Sequence, residues 1–284
     1  MKKTLIILFT LGVTQMAFAG GWVKSKGTGY YKLYQWWTVF DQHYTDQGLI
    51  DPNVTMGLYN TSLYAEHGLS DRITLQANIP LFSRNIMNNL VSSNTGNILA
   101  EGDALNSIGD IDLGFKYGFN QSKTPIAVTL MLGLPTGNEL GGIMENLQTG
   151  DGEFNQILRF DISRSFQIKK LNTYFNAYSG FNNRSEGFSD EFRYGFELGS
   201  SFNKYSGNVK VFAVESLKNG DSTIGANSTS VFANNSEFSA VAIEGAYAVT
   251  DKFGLSLGFS YAFRGEIIAA APSYSIGVFF DTSK

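Results

Sequence analysis

The chain alternates apolar and polar residues in short stretches, a pattern typical of β-strands that have one apolar and one polar face. The stretch RITLQANIPLF (72–82) has apolar residues at odd positions from Ile73 to Leu81 and polar residues at 74, 76 and 78. Clear repeats of this pattern lie at 110–119, 126–134, 192–202 and 255–263, and weaker ones at 29–39, 55–67, 155–166, 171–182, 208–216, 238–250 and 273–281. The pattern therefore predicts an all-β fold of about twelve strands.

The connections between these strands alternate between short and long. Short turns lie near 68–71, 120–125, 167–170, 203–207 and 250–253, and long connections cover 40–53, 83–108, 137–153, 183–190, 218–236 and 265–272. Outer-membrane barrels have short periplasmic turns, long extracellular loops and an even number of strands. A soluble sandwich with Greek-key crossovers has no reason to follow this rule. The sequence thus predicts a transmembrane antiparallel β-barrel with both termini on the periplasmic side.

The first residues indicate export from the cytoplasm. Lys2 and Lys3 precede a short apolar run, 5–13, and Ala17-Phe18-Ala19 supplies a small-residue cleavage site before Gly20. This arrangement is typical of a secretory signal peptide. We predict that residues 1–19 are removed and that 20–284 form the barrel in the outer membrane of a Gram-negative bacterium, with outer-membrane lipids and the barrel assembly machinery as partners.

Composition narrows the candidate chemistry. The 284 residues include no cysteine, so disulfides, thiolate metal sites and cysteine nucleophiles are excluded. The formal net charge of −4 argues against nucleic acid as a partner. We predict no metal and no other cofactor.

Charged residues lie in mid-strand on the polar face, which faces the lumen of a membrane barrel. Cations and anions are equal in number, at Lys32, Glu66, Asp110, Asp112, Lys116, Arg159, Asp161, Arg193, Glu197, Lys210, Glu244 and Arg264. A strongly ion-selective porin would carry an excess of one sign. The spacing predicts the pairs Arg159–Asp161, Asp112–Lys116 and Arg193–Glu197, which either brace a narrow barrel or form a polar constriction that selects a solute.

Two prolines occupy positions that the alternation of their strands assigns to the lumen face. Both lie near the extracellular ends of their strands. Pro80 precedes the long connection 83–108, and Pro135 precedes 137–153. Proline cannot donate a ladder hydrogen bond and is found at strand edges and bulges. Each proline is therefore predicted to mark either the rim of the barrel or a break in its wall through which an apolar solute leaves sideways.

The functional prediction is a passive channel or transporter for a small solute, without catalysis. The main alternative is a structural or surface-interaction barrel with a blocked lumen. A further alternative is a lipid hydrolase at the membrane rim that uses His43, one of two histidines, predicted in the first extracellular loop. No arrangement of nucleophile and base in the sequence favours this alternative.

Three motifs resemble a known family. The sequence YAEHGLSDRITLQANIPLF (64–82) contains Glu66, Gly68 and Asp71; GDIDLGFKYGF (109–119) follows, and then LMLGLPTG (130–137). Together they resemble the outer-membrane barrel transporters named after the meta-pathway of phenol degradation. This resemblance implies an outer-membrane protein for uptake of small, often hydrophobic or aromatic, compounds.

Overall fold

The computed structural model describes residues 20–143, 145–221 and 232–283. The predicted signal peptide, 1–19, lies outside the described residues. Within the described part of the chain, no helix is long and apolar enough to span a membrane.

The described residues form sixteen β-strands. In chain order, β1 to β16 are Gly29–Tyr44, Ile50–Ser70, Ile73–Met87, Leu90–Val91, Ile98–Ala100, Asp103–Ser107, Ile111–Gly118, Ile126–Leu134, Asn155–Ile168, Leu171–Arg184, Glu191–Phe202, Tyr205–Ser216, Glu237–Ala248, Phe253–Glu266, Ile268–Ala269 and Ser273–Asp281.

These strands close into an antiparallel barrel of twelve positions, as predicted. Strand β1 pairs with β2 on one side and with β16 on the other, which closes the sheet. One position is divided between β6 and β7, which both pair with β3. The short strands β4 and β5 form a separate hairpin, and β15 adds to the extracellular end of β1. Closure leaves no exposed sheet edge in the bilayer, where unpaired backbone groups are costly.

The two faces of the wall differ as the alternation predicts. On β9, Leu158, Phe160 and Ile162 are exposed on the outer surface. Arg159 and Asp161 lie between them and are buried in the interior. This distribution, with apolar side chains outside and charged side chains inside, is the reverse of that in a soluble barrel. It is the distribution expected for a barrel surrounded by lipid hydrocarbon.

The connections keep the predicted alternation, but the strands are longer than predicted. Strand β1 continues to Tyr44 and β2 begins at Ile50, so only 45–49 connect them. Strand β3 likewise continues to Met87, beyond the predicted loop start at 83. Each extracellular connection is nevertheless longer than the periplasmic turns beside it, such as 71–72 and 169–170.

Outward-facing positions on β9 test the membrane assignment. We expect Phe160→Arg to lower the free energy of unfolding by about 2–4 kcal/mol, because it places a charge near the bilayer midplane. Ile168→Arg, at the periplasmic end of the same strand, should lower it by only about 0–1 kcal/mol. Denaturant titration of both variants folded in lipid vesicles measures these losses, and equal losses would contradict the assigned depth.

Candidate functional site

The structure places all but one of the predicted lumen charges on the inner face. Seven are almost completely buried, namely Lys32, Glu66, Lys116, Arg159, Asp161, Glu197 and Lys210. Asp110, Asp112, Arg193 and Glu244 share the inner face and are partly accessible from the lumen.

Arg264 is the exception, and its predicted lumen position is wrong. It lies opposite Ser239 in the ladder, and the register between β13 and β14 shifts by one residue between Ser239 and Ala240. A bulge reverses the face of every residue beyond it. The Arg264 side chain is consequently 58% exposed at the extracellular rim, within 3.6 Å of Glu215.

The predicted ion pairs are only partly correct. The guanidinium of Arg159 binds Asp161 through two hydrogen bonds of 2.6 and 3.0 Å. Arg193 instead donates to Glu191, and Lys210 lies 3.1 Å from Glu197 across the β11–β12 ladder. Residues four apart on one strand are separated by about 13 Å, whereas residues opposite each other across a ladder are about 5 Å apart. The predicted Arg193–Glu197 pair is therefore wrong.

The predicted pair Asp112–Lys116 is also replaced, in this case by a contact between Lys116 and the backbone of a distant segment. The Lys116 ammonium donates a 2.9 Å hydrogen bond to the carbonyl of Gly20, which belongs to the segment before β1. Lys32 is paired with Glu244 on β13, further around the barrel. Both lysines therefore connect parts of the chain that are distant in sequence.

Residues 20–25 lie against the inner wall at the periplasmic end, an arrangement that the sequence pattern gave no signal for. The Gly21 amide donates to Ser163 Oγ at 2.7 Å, and the Lys24 amide donates to Thr74 Oγ1 at 2.7 Å. The ring of Trp22 meets Tyr174 edge-on, with centroids 5.7 Å apart. This periplasmic segment passes β3, β9 and β10 and narrows the lower lumen.

Polar side chains fill the lumen next to this segment. The Tyr34 hydroxyl donates to Asn78 Oδ1 at 2.8 Å, which links β1 to β3. Tyr64 and Gln76 both donate to Glu66 at 2.7 Å. These contacts satisfy the buried carboxylate and leave a constricted lower half of the barrel.

The long connection 135–154, here called the inward loop, packs into the extracellular mouth. Leu147 is fully buried in an apolar cluster that includes Phe40, Met56 and Met87. Asn85 donates to the carbonyl of Gln148 at 2.9 Å. The loop thus forms part of the lumen filling.

Arg184 anchors the end of the inward loop. Its guanidinium contacts Asp151 at 3.1 Å, Glu153 at 2.5 Å and Glu191 at 2.9 Å, and all four side chains are largely buried. The carboxylates neutralise the buried guanidinium and accept its hydrogen bonds, and this mutual pairing holds the cluster in place.

Burial also changes the acidity of Glu153, in the inward loop, and of Asp110, which precedes β7 and contacts the loop. It raises the pKa of Glu153 to about 7, against the opposing effect of Arg184. It raises the pKa of Asp110 to about 6, and the neighbouring charge of Asp151 adds to this shift. Asp110 also accepts hydrogen bonds from the amides of Gly137 and Asp151, at 2.8 and 3.1 Å.

A cavity of about 410 Å³ lies in the extracellular half of the lumen. One wall is apolar and is formed by Phe212, Val214, Phe232, Phe238, Ile268 and Ala271. The adjoining part of the lining is charged and is formed by Asp110, Asp112, Arg159, Arg184, Glu191 and Arg193. The Arg193 side chain is 33% exposed, whereas its partner Glu191 is 7% exposed, so the guanidinium is open to the cavity.

The two prolines have different surroundings. Pro135 directly follows Leu134, the last residue of β8, and therefore lies at the rim. Pro80 lies inside β3, which continues for seven residues beyond it, so this proline does not lie at the rim of the barrel. Pro80 is paired with Ser62 of β2 beside a bulge, and it lines the cavity.

His43 lies on β1 rather than in the predicted first extracellular loop. It is opposite Asp51 on one side and Ala269 on the other. Within the described residues, no group of three or more histidine, aspartate or glutamate side chains is arranged to hold a metal ion.

Comparisons with known proteins identify the fold. No protein-family model and no curated protein matches the chain. Among solved structures, the chain is similar to an outer-membrane channel from Pseudomonas putida F1, with 15% identity and a TM-score of 0.61 over 94% of this chain and 100% of that chain. It is also similar to the β-domain of the Bordetella autotransporter BrkA, with 10% identity and a TM-score of 0.50 over 90% of this chain and 100% of that chain.

These similarities establish a shared outer-membrane barrel fold, which confirms the fold implied by the resemblance in residues 64–137. Together with the apolar outer surface, the fold places the chain in the outer membrane of a Gram-negative bacterium. One relative is a channel and the other an autotransporter domain, so the fold alone does not decide function.

We expect Arg184→Gln to release the inward loop. The change leaves Asp151, Glu153 and Glu191 buried without their cation, and breaking a buried ion pair in this way costs about 3–5 kcal/mol. Limited proteolysis within 135–154 measures the release. Arg164→Gln, at an exposed position on β9, serves as the control and should leave the proteolysis rate unchanged.

We also expect the inward loop to be held more tightly at about pH 5 than at about pH 8. Glu153 and Asp110 have raised pKa values in the closed loop, so closure takes up protons and is favoured as the pH falls. Hydrogen exchange of the loop amides, corrected for intrinsic rates, measures this dependence. Glu153→Gln should weaken it, and faster exchange at the lower pH would contradict the assignment.

Proposed function

We propose that the protein is a passive outer-membrane channel for a small solute that has an apolar body and a polar or charged group. The observation that carries this proposal is the cavity, because its lining combines an apolar part with a charged part, and the two meet where Arg193 is paired with Val214. A site with predominantly apolar lining and a few placed polar groups is typical of small-molecule binding. The hydrophobic or aromatic compounds implied by the sequence resemblance fit the apolar wall.

In this proposal, Arg193 and Asp112 orient the solute. Both line the cavity, and both are more accessible than the tightly paired Arg159 and Asp161. An arginine offers two parallel donors to an anionic or carbonyl group, and a carboxylate accepts from a donor group. The remaining predicted lumen charges on the inner face, including Lys32, Glu66, Lys116, Glu197, Lys210 and Glu244, brace the constriction below.

Passage along the barrel axis requires a path past the periplasmic segment 20–25. This segment is held by a few hydrogen bonds, such as those from Gly21 to Ser163 and from Lys116 to Gly20. We propose that it restricts the size of the solute. The chain's own residues bind and position the solute in this scheme, and no bond is formed or broken.

The filled lower lumen favours a second candidate, a barrel with a blocked lumen whose loops bind a partner. The contacts of Tyr34, Tyr64 and Glu66 close much of the cross-section on the periplasmic side. The two candidates differ in one observable, which is whether the folded protein lets solutes through.

Conductance in planar bilayers and swelling of proteoliposomes test the proposal. We expect small single-channel steps from the intact protein, and larger steps when residues 20–25 are deleted, because the periplasmic segment no longer narrows the lumen. Arg193→Gln should reduce the passage of a carboxylate solute more than that of a neutral sugar. Silence from both the intact and the shortened protein, with the barrel correctly folded, would leave the blocked barrel as the answer.

A further inference from the structure

We propose that the cavity binds the ammonium group of its solute beside Asp110 and Asp112, so that the channel is selective for apolar amines. The apolar body of the amine packs against the aromatic part of the same lining. This inference rests on the proposed function, because it names the class of solute that the proposed channel carries.

Within the described residues, every cation in the cavity lining is already paired with a carboxylate. The pairs are Arg159 with Asp161, Lys210 with Glu197, Arg184 with Asp151, Glu153 and Glu191, and Arg193 with Glu191. Three of these carboxylates, at 153, 161 and 197, lie behind the lining rather than in it. A solute anion would therefore have to compete with carboxylates that are already in place.

Two carboxylates of the lining have no such counter-ion. Neither Asp110 nor Asp112 forms an ion pair with another described residue. Asp110 accepts hydrogen bonds from two backbone amides, and Asn78 donates a hydrogen bond to Asp112. These donors are uncharged, so they hold the two carboxylates without neutralising them. The lining and its ion-pair partners together contain seven carboxylates and four cations.

Three buried oxygen atoms at the cavity have no hydrogen-bond partner among the described residues. They are Asn60 Oδ1, Ser83 Oγ and Thr129 Oγ1. Asn60 and Thr129 line the cavity, and the side chains of Thr129 and Ser83 are each 1% exposed. Ser83 faces Asn60 across the β2–β3 ladder and lies beside Gly109, because a Cβ at Gly109 would be 2.9 Å from Ser83 Oγ. Two of the three atoms thus lie close to Asp110, the next residue, and each can accept a hydrogen bond.

A protonated amine matches both the uncompensated charge and the unpartnered acceptors. It carries one positive charge and three N–H donors, and it has no acceptor. Its hydrogen bonds to a carboxylate are about twice as strong as those between neutral groups. An ammonium group also supplies the counter-ion that Asp110 and Asp112 lack, whereas a carboxylate solute would add a negative charge to an enclosed space that already contains an excess of carboxylates.

The rest of the lining suits an aromatic or aliphatic body. Phe212 and Phe238 meet edge-on, with centroids 5.9 Å apart. The guanidinium of Arg159 lies 3.8 Å from the centroid of the Tyr178 ring, so an aromatic face of this lining already holds a cation. The cavity volume of about 410 Å³ lies within the range of about 300–1,000 Å³ that is typical of small-molecule sites.

The two ends of the barrel carry opposite charge, in a direction that favours entry of cations. Exposed carboxylates in the extracellular connections lie at Asp46, Glu101, Glu139, Glu145, Glu186 and Asp221. The exposed cation in the described part of these connections is Lys218, which is paired with Glu237 and Glu266. The periplasmic turns are mainly basic, at Arg72, Lys123, Lys169, Lys170, Lys204 and Lys252. A negative field at the extracellular mouth raises the local concentration of cations and steers them towards the cavity.

Two ligands of matched shape and opposite charge test the ammonium site. Phenethylammonium and 3-phenylpropionate both carry a phenyl ring on a two-carbon chain that ends in the charged group. Isothermal titration of the folded protein in detergent micelles measures both affinities, with protein-free micelles as the baseline. We expect phenethylammonium to bind at least about tenfold more tightly, because only the ammonium forms charge-assisted hydrogen bonds with the free carboxylates.

Substitutions locate the site. Asp110→Asn and Asp112→Asn each remove one charge with little change of shape, and each should weaken phenethylammonium binding by about tenfold or more. Ser83→Ala removes an unpartnered oxygen without altering any charge and should weaken binding by about two- to tenfold. Asp46→Asn, in the exposed connection 45–49, is the matched control and should leave binding unchanged. Near-UV circular dichroism confirms that each variant is folded.

Reversal potentials in planar bilayers extend the test from binding to passage. Under a gradient of phenethylammonium chloride, we expect a potential of the sign that cation passage produces, and Asp112→Asn should shift it towards zero. Equal binding of the two ligands, or tighter binding of 3-phenylpropionate, would overturn the ammonium site and leave the channel in place. A folded protein that binds phenethylammonium but conducts no ion would refute the channel and leave the site. Unchanged phenethylammonium binding in Asp110→Asn, Asp112→Asn and Ser83→Ala would also overturn the site.

Discussion

Every feature of this protein depends on the requirement that backbone amides and carbonyls inside a bilayer be hydrogen-bonded within the protein. A closed antiparallel barrel meets that requirement because each strand satisfies its neighbours, and the pairing of β1 with β16 removes the last free edge. Once the wall is closed, each strand has one face in lipid and one in the lumen. The alternation of apolar and polar residues follows directly from this division.

A closed wall also encloses eleven of the twelve predicted charges, together with Arg184 and its three carboxylate partners, and the pairing of these groups decides how the lumen is used. Most pairs connect different strands or different parts of the chain, as with Lys32–Glu244 and Lys210–Glu197. The lower lumen is filled by these contacts and by residues 20–25, whereas the upper lumen retains a cavity whose lining is partly apolar and partly charged. The open upper lumen and the filled lower lumen are therefore consequences of where the charged side chains are neutralised by their partners.

Departures from the regular ladder occur at few positions, and each has a local cause. The bulge between β13 and β14 moves Arg264 to the outer rim. Pro80 and Gly109 interrupt the pairing between β3 and β7 without ending β3, because β2 continues to pair with β3 on its other side. The pairing of β1 with β15 and β16 is interrupted in a similar way, because the interval between the pairs Thr38–Ser273 and His43–Ala269 is bridged by a backbone hydrogen bond from Ala270 to Gln42.

The sequence by itself determined the barrel, the number of strand positions, the lipid-facing residues and the inward direction of most charges, because a period of two follows from backbone geometry alone. It also supported the pair Arg159–Asp161, since an arginine two residues away can reach its neighbour's carboxylate. It did not determine that Lys210 pairs with Glu197, that Arg184 gathers three carboxylates, or that Gly21, Leu147 and Gln148 pack inside the lumen. Those contacts join residues on different strands and loops, whose distances are set by strand register and by loop packing. Only the tertiary structure decided them, because a pattern along the chain carries no information about which residues face each other across an enclosed space.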